Sequence, residues 1–193
     1  MDPEGCMLTR EEKKEILSLA RRTMESYVQN GIISKYTTQN ESLKQHAGAF
    51  VTIHKDGRLR GCIGIIESNQ PLFEIIIEMA IESSSSDPRF DAVTSEELKD
   101  IEIEVSVLFP KKRIKSLDEI TLGKHGVIVK RGYASGVFLP QVATETGWTK
   151  EEFMRNLCEG KASLPADSYK DPGTEVYTFE AQVFSEKGIN DEE

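Results

Sequence analysis

The chain has 193 residues, 33 of them acidic and 24 basic, giving a formal charge of −9. That length supports one domain, or a domain with an added lobe, with a working core, while the charge disfavours a protein that coats nucleic acid or anionic membrane by bulk electrostatics. Three cysteines, Cys6, Cys62 and Cys158, are odd in number and far apart, which fits a reducing, cytoplasmic setting better than a disulfide framework.

The start, Met1-Asp2-Pro3-Glu4, is acidic and lacks the apolar core of a signal peptide. Thr9 and Glu12 form a capping-box pattern, and Ile16, Leu19, Ala20, Met24, Tyr27 and Val28 recur at helical spacing up to Gly31. The polar stretch 33–45 reads as a connection, after which Ala49, Val51 and Ile53 alternate as a strand. Lys55-Asp56-Gly57 supplies a turn, and the chain returns from Leu59 to Ile65 as the second arm of a hairpin. Pro71 opens a helix with Leu72, Ile75, Ile76, Met79 and Ala80, expected to weaken at Ser83 to Ser86. Its apolar run, Leu72 to Ile81, is broken by Glu74 and Glu78 and falls short of the ~20 residues that span a membrane.

Asp87-Pro88-Arg89-Phe90 reads as a turn, and Ile101, Ile103, Val105, Val107 and Phe109 as a half-buried strand ended by Pro110. A second hairpin is expected from Gly126 to Lys130 and Tyr133 to Leu139 around Arg131-Gly132. Pro140 starts a short helix that ends near Gly147. Thr149 with Glu152 caps another, carrying Phe153, Met154 and Leu157 and expected to end at Gly160. Tyr177, Phe179, Ala181 and Val183 alternate as a last strand, and the tail after Lys187 is expected to fray. Hairpins outnumber strand-helix-strand crossovers, so the fold class is α+β with a mainly antiparallel sheet and flanking helices.

The densest chemistry lies in Arg60-Gly61-Cys62-Ile63-Gly64. On a two-residue period Leu59, Gly61, Ile63 and Ile65 face one way and Arg60, Cys62 and Gly64 the other, with alternate residues roughly 7 Å apart. If the isoleucines face the core, a guanidinium and a thiol share the opposite surface, where arginine can stabilise a thiolate. The glycines can admit a ligand to the backbone; tight strand-on-helix packing accounts for them equally well.

The chain resembles the AMMECR domain family, named after a chromosomal region of Alport syndrome, midface hypoplasia and elliptocytosis. The resemblance rests on the Leu-Arg-Gly-Cys-Ile-Gly signature at Leu59 to Gly64, on Gly48 to Thr52, Asp87-Pro88-Arg89-Phe90 and Glu104 to Leu108, and on Gly123-Lys124-His125-Gly126, Phe138 to Val142 and Trp148 leading into Phe153. It covers roughly residues 9–185. Serines stand before Asp87 where relatives look alanine-rich, and Lys161-Ala162-Ser163-Leu164 replaces a more familiar Lys-Ala-Gly-Leu. The resemblance implies one domain, 9–185, with a larger and a smaller lobe and the signature near the cleft between them, leaving 1–8 and 186–193 as flexible termini. It implies no settled reaction. Microbial association with Memo-type and radical-S-adenosylmethionine proteins makes those candidate partners, and earlier proposals placed the family near nucleic acid.

Several functional assignments therefore stand beside plainer ones. Cys62 is a candidate nucleophile, with Arg60 lowering its pKa and His54 or His125 as base; a buried structural thiol is the stronger competitor. Arg60 and Arg89 together suit a carboxylate or phosphate, or each holds an acidic neighbour in an ion pair. The candidate site is thus Cys62 as the catalytic thiol, with Arg60, Gly61, Gly64, Arg89 and His125 contacting a small anionic metabolite or modified nucleotide. Lys111-Lys112-Arg113 and Lys115 read as solvated charge rather than a phosphate site. His46, His54 and His125 lack metal-ligand spacing, so no metal is expected. Neither a phosphate loop nor a dinucleotide fingerprint is present, and no cofactor is expected. Trp148 reads as a packing anchor. A non-catalytic adaptor for a partner protein is the rival reading, a nucleic-acid-binding domain, disfavoured by the net charge, is a third, and oligomeric state is left open.

Overall fold

The capping box at Thr9 closes as expected: Glu12 N–H donates to Thr9 Oγ1 and Thr9 N–H to Glu12 Oε2, at 3.3 and 2.7 Å. Helix α1 (Arg10–Asn30) follows and ends on Gly31, whose φ of 66° is left-handed, as a glycine stop requires. The structure is a computed structural model describing residues 7–33 and 35–191, with no side-chain description for 190 and 191. Cys6 and most of the terminus expected to be flexible lie outside the described residues. Within them Leu8 is buried, and its N–H donates to Gln182 Oε1 at 2.8 Å.

The chain divides into two units, residues up to Leu108 rejoined at Gln182, and Phe109–Ala181. In the first unit β1 (Gly48–Lys55) lies between β2 (Arg58–Ile65) and β3 (Ile101–Leu108), antiparallel to both. Asp56 and Gly57 both have positive φ, 52° and 71°, which suits the tight turn joining β1 to β2. Ala49, Val51 and Ile53 of β1 and Ile103 and Val105 of β3 are fully buried in one core with α1 and with α3 (Leu72–Ser85). The expected weakening of α3 at its serines does not occur. Ser83 and Ser84 are buried and return their hydroxyls to Ala80 O and Ile81 O, so small side chains let the last turn pack closely.

Two further corrections concern segments read as irregular. The polar connection contains a one-turn helix, α2 (Glu41–Lys44), which Asn40 caps and which buries Leu43 completely. The tail does not fray at Lys187: α6 (Glu186–Asp191) follows directly, Ile189 is buried, and Glu186 receives Arg21 and the Ile103 N–H.

The second unit holds the hairpin of β5 (His125–Arg131) and β6 (Ala134–Phe138). A two-residue strand, β4 (Lys112–Arg113), and β5 both pair with β7 (Glu175–Ser185). Helices α4 (Pro140–Thr146) and α5 (Lys150–Gly160) complete it, with α5 capped at Lys161 rather than at Gly160. Phe138 packs edge-on against Phe153 at 5.1 Å and near Trp148 at 6.0 Å, so the lone tryptophan is a packing anchor here. Along β7 the alternation shifts: Thr178 and Phe179 are both buried and Val183 is exposed. Its last four residues, 182–185, belong to the first unit. The fold is α+β with antiparallel pairing among the described strands.

Candidate functional site

The signature strand β2 does not keep the simple alternation expected of it. Gly61 pairs with Ile53, but Leu59 pairs with His54, so Arg60 is an extra residue forming a bulge. Past the bulge the faces exchange, and Leu59 lies on the side of Cys62 instead of the side of Gly61. It is 42 % exposed, and Ile65 is exposed as well, so of these apolar residues Ile63 is the one that packs against the core.

The bulge changes the role of Arg60. Its Nε and Nη2 donate to the two oxygens of Glu97 at 3.1 and 3.0 Å, and Nη1 and Nη2 to the carbonyls of Asp91 and Ala92. Lys55 Nζ reaches the same Glu97 at 3.0 Å. The two cations, Arg60 foremost, hold the Glu97 carboxyl at about 2, far below an ordinary glutamate. Every guanidinium nitrogen of Arg60 is thus occupied, and its partner is a carboxylate rather than the thiol.

Arg89 takes the place expected for Arg60. Asp87 is buried, and its carboxylate accepts Arg89 Nε and Nη2 at 2.9 and 2.7 Å, the Arg89 N–H at 3.1 Å and the Cys62 N–H at 2.8 Å. Arg89 Nη2 also donates to the Cys62 carbonyl at 3.1 Å. One ion pair therefore satisfies both outward backbone groups of Cys62 on an edge strand, groups that otherwise invite another strand. The Asp87 carboxyl is pulled far below the usual range, first by Arg89. Arg89 in turn is raised above its ordinary value, by Asp87 foremost and with a smaller push from the Cys62 thiol. The cation beside the thiol is Arg89. Thr52 Oγ1 donates to Cys62 Sγ at 3.3 Å from the neighbouring strand.

The glycines are packing residues on their open sides. A Cβ at Gly61 meets the Ser83 carbonyl of α3 at 2.3 Å, and one at Gly64 meets the Phe50 ring at 2.2 Å. Ligand approach from those directions is closed, and close packing on helix or ring explains both residues. His125 lies in the second unit, where Nδ1 accepts the Thr121 N–H at 3.0 Å and Nε2 stands 3.8 Å from Glu180. Arg60 and Arg89 do line one hollow of about 450 Å³ with Pro88, Phe90 and Asp91. Arg89 is 53 % exposed there, and its pairing with Asp87 and Cys62 engages Nε and Nη2, not Nη1. Among the described residues no cluster of His, Cys, Asp or Glu has the makings of a metal site, and no helix is long and apolar enough to cross a membrane.

Sequence reasoning missed Asp87 and Glu97. An acidic residue before Pro-Arg was a readable signal for a turn that holds its own arginine. Nothing local marked Glu97 as the partner of a residue 37 positions earlier.

Comparison with known proteins gives this α+β domain a family. The model of the AMMECR1 family matches residues 17–184, and the chain belongs to that family. It is 44 % identical to a protein of Methanothermobacter thermautotrophicus over 94 % of this chain and 97 % of the other. It is 41 % identical to one of Methanopyrus kandleri over 95 % and 92 %. The crystal structure of an uncharacterized protein of Pyrococcus horikoshii is similar, with a TM-score of 0.83 and 38 % identity over 91 % of this chain and 92 % of that one.

Proposed function

We propose that this domain binds a small anion, a carboxylate or phosphate group of a metabolite or modified nucleotide, in the hollow at Arg89, with the Cys62 thiol beside the bound group. The observation that carries the reading is Arg89 itself: Asp87 and the Cys62 carbonyl fix its orientation, while half of the side chain faces solvent in a concave surface. A guanidinium held on one edge by a carboxylate loses little freedom when its other edge meets an anion. Arg60 serves as a wall of the hollow and a brace for the bulge. Cys62 does not itself line the hollow; half-buried and receiving the Thr52 hydroxyl, it adjoins Arg89 through its carbonyl, and in this reading its thiol is the nucleophile for any covalent chemistry on what binds there.

Isothermal titration with inorganic phosphate and with small carboxylates tests the reading on wild type and Arg89→Lys. Lysine can keep an ion pair with Asp87 but has no second nitrogen to offer, so affinity should fall about tenfold, the loss of one charge-assisted hydrogen bond. Equal affinity in both proteins contradicts the assignment.

The adaptor reading has one observation of its own. Leu59, turned by the bulge to the Cys62 side of β2, is 42 % exposed, an apolar side chain that a partner protein would cover. Leu59→Lys should then weaken capture of a Memo-type or radical-S-adenosylmethionine protein while leaving anion binding unchanged.

A further inference from the structure

The second unit contains a cavity that the reading above does not use. It has a volume of about 610 Å³, within the range of small-molecule sites. Its apolar surface comes from Ile114, Leu117, Tyr169 and Val176, which sit on two separate stretches of chain. The walls are tied together, since Lys150 Nζ at the start of α5 donates to Leu117 O at 2.8 Å and Ile114 N–H to Val176 O at 3.0 Å.

The charges around this cavity sort into two groups. Arg113 pairs with Glu175 at 3.0 Å, Lys170 with Asp167 at 2.9 Å, and Asp171 with Arg131 at 2.7 Å. Lys115 and Glu151 also line it, and among the described residues neither side chain has an ion-pair partner. Thr174 and Tyr169, in the same wall, are buried, and neither Thr174 Oγ1 nor Tyr169 Oη has a hydrogen-bond partner among the described residues. A hollow with a largely apolar floor, one spare cation, one spare anion and two spare hydroxyls matches a molecule that carries both charges on an apolar body.

We propose that this cavity is a second binding site, for a small zwitterion with a large apolar side chain, of the size of a free amino acid or dipeptide. The carboxylate meets Lys115, the ammonium meets Glu151, and the side chain lies on Tyr169, Ile114, Leu117 and Val176. A simple anion is the poorer occupant because Glu151 repels it, and a simple cation is repelled by Lys115, each effect moderated by solvent at these exposed side chains. The site lies wholly in the second unit, so it stands or falls apart from the Arg89 hollow.

The test is a heteronuclear NMR titration of the full chain with L-phenylalanine, 3-phenylpropionate and 2-phenylethylamine, which share a ring and differ in charge. L-Phenylalanine should shift the amides of residues 114–117, 151 and 169–176, and each singly charged analogue should bind about fivefold more weakly, the effect of one exposed charge-assisted contact. Glu151→Gln should remove the preference for L-phenylalanine over 3-phenylpropionate, and Lys115→Met the preference over 2-phenylethylamine. Both side chains are at the surface, and unchanged urea midpoints establish that the variants fold. The proposal is overturned if none of the three shifts those amides at about 10 mM, well above a millimolar dissociation constant, or if the preferences survive both substitutions.

Discussion

Removing the Asp87 carboxylate tests the grip on Cys62 most sharply. Asp87→Ala deletes the acceptor of four hydrogen bonds, two from the Arg89 guanidinium, one from the Arg89 N–H and one from the Cys62 N–H. Breaking a buried pair by removing one partner costs about 3–5 kcal/mol when the survivor stays buried. Here Arg89 is half exposed and can rehydrate, so the expected loss is about 2–4 kcal/mol, dominated by the unsatisfied backbone donors. In a chain of this size that is a fall in Tm of about 5–15 °C. Asp87→Asn retains an acceptor for the Cys62 N–H and should lose roughly half as much. The pH dependence adds a second check. The Asp87 carboxyl is lowered in the folded protein, chiefly by Arg89, so its stabilisation is complete above the unfolded aspartate value of about 3.9 and disappears as pH falls below it. The gap between wild type and Asp87→Asn in urea unfolding should therefore be widest near pH 7 and narrow on acidification. A loss below about 0.5 kcal/mol for Asp87→Ala, the range of ordinary surface changes, or a gap that widens in acid, refutes the reasoning.

The other predictions concern the same strand and its neighbours. Gly61→Ala drives a methyl into the Ser83 carbonyl, a backbone atom that cannot swing aside, and should cost about 2–3 kcal/mol in chemical denaturation. Gly64→Ala meets the Phe50 ring, which can turn, and should cost less. Glu97, at about 2 in the folded state, contributes stability that is present above the normal glutamate value near 4.3 and lost as pH falls toward 2. Glu97→Gln should lower stability at pH 7 by about 2 kcal/mol after allowance for screening near the surface, with the difference closing by about pH 2. Iodoacetamide should modify half-buried Cys62 well before Cys158, which is fully buried and whose thiol burial pushes up; mass spectrometry of labelled peptides reads the order. Ser106 has a buried hydroxyl without a partner among the described residues, so Ser106→Ala should be neutral or stabilising by about 1 kcal/mol in thermal melts.

Local signals carried the fold further than the site. Capping boxes at Thr9 and Thr149, glycine stops at Gly31 and Gly147, and the Asp56-Gly57 turn are encoded within a few residues, so helices and hairpins could be placed from the sequence. The short helix around Leu43 was hidden because one apolar residue among polar neighbours has no period. The site depended on two facts that strand periodicity does not contain. A single-residue bulge at Arg60 exchanges the faces of β2, and the partner of each arginine is chosen by tertiary structure. Arg89 and Cys62 were both picked out by residue type, yet their connection runs through Asp87 and the edge of a strand.

The central claim is that Arg89, Asp87 and Cys62 form one anion-receiving unit, and alkylation of Cys62 measures it most directly. With inorganic phosphate present, the rate of Cys62 modification by iodoacetamide should fall in wild type and should need about tenfold more phosphate for the same fall in Arg89→Lys, while labelling of Cys158 is indifferent to phosphate in both. A Cys62 rate that ignores phosphate in wild type, or that responds equally in the two proteins, contradicts the account.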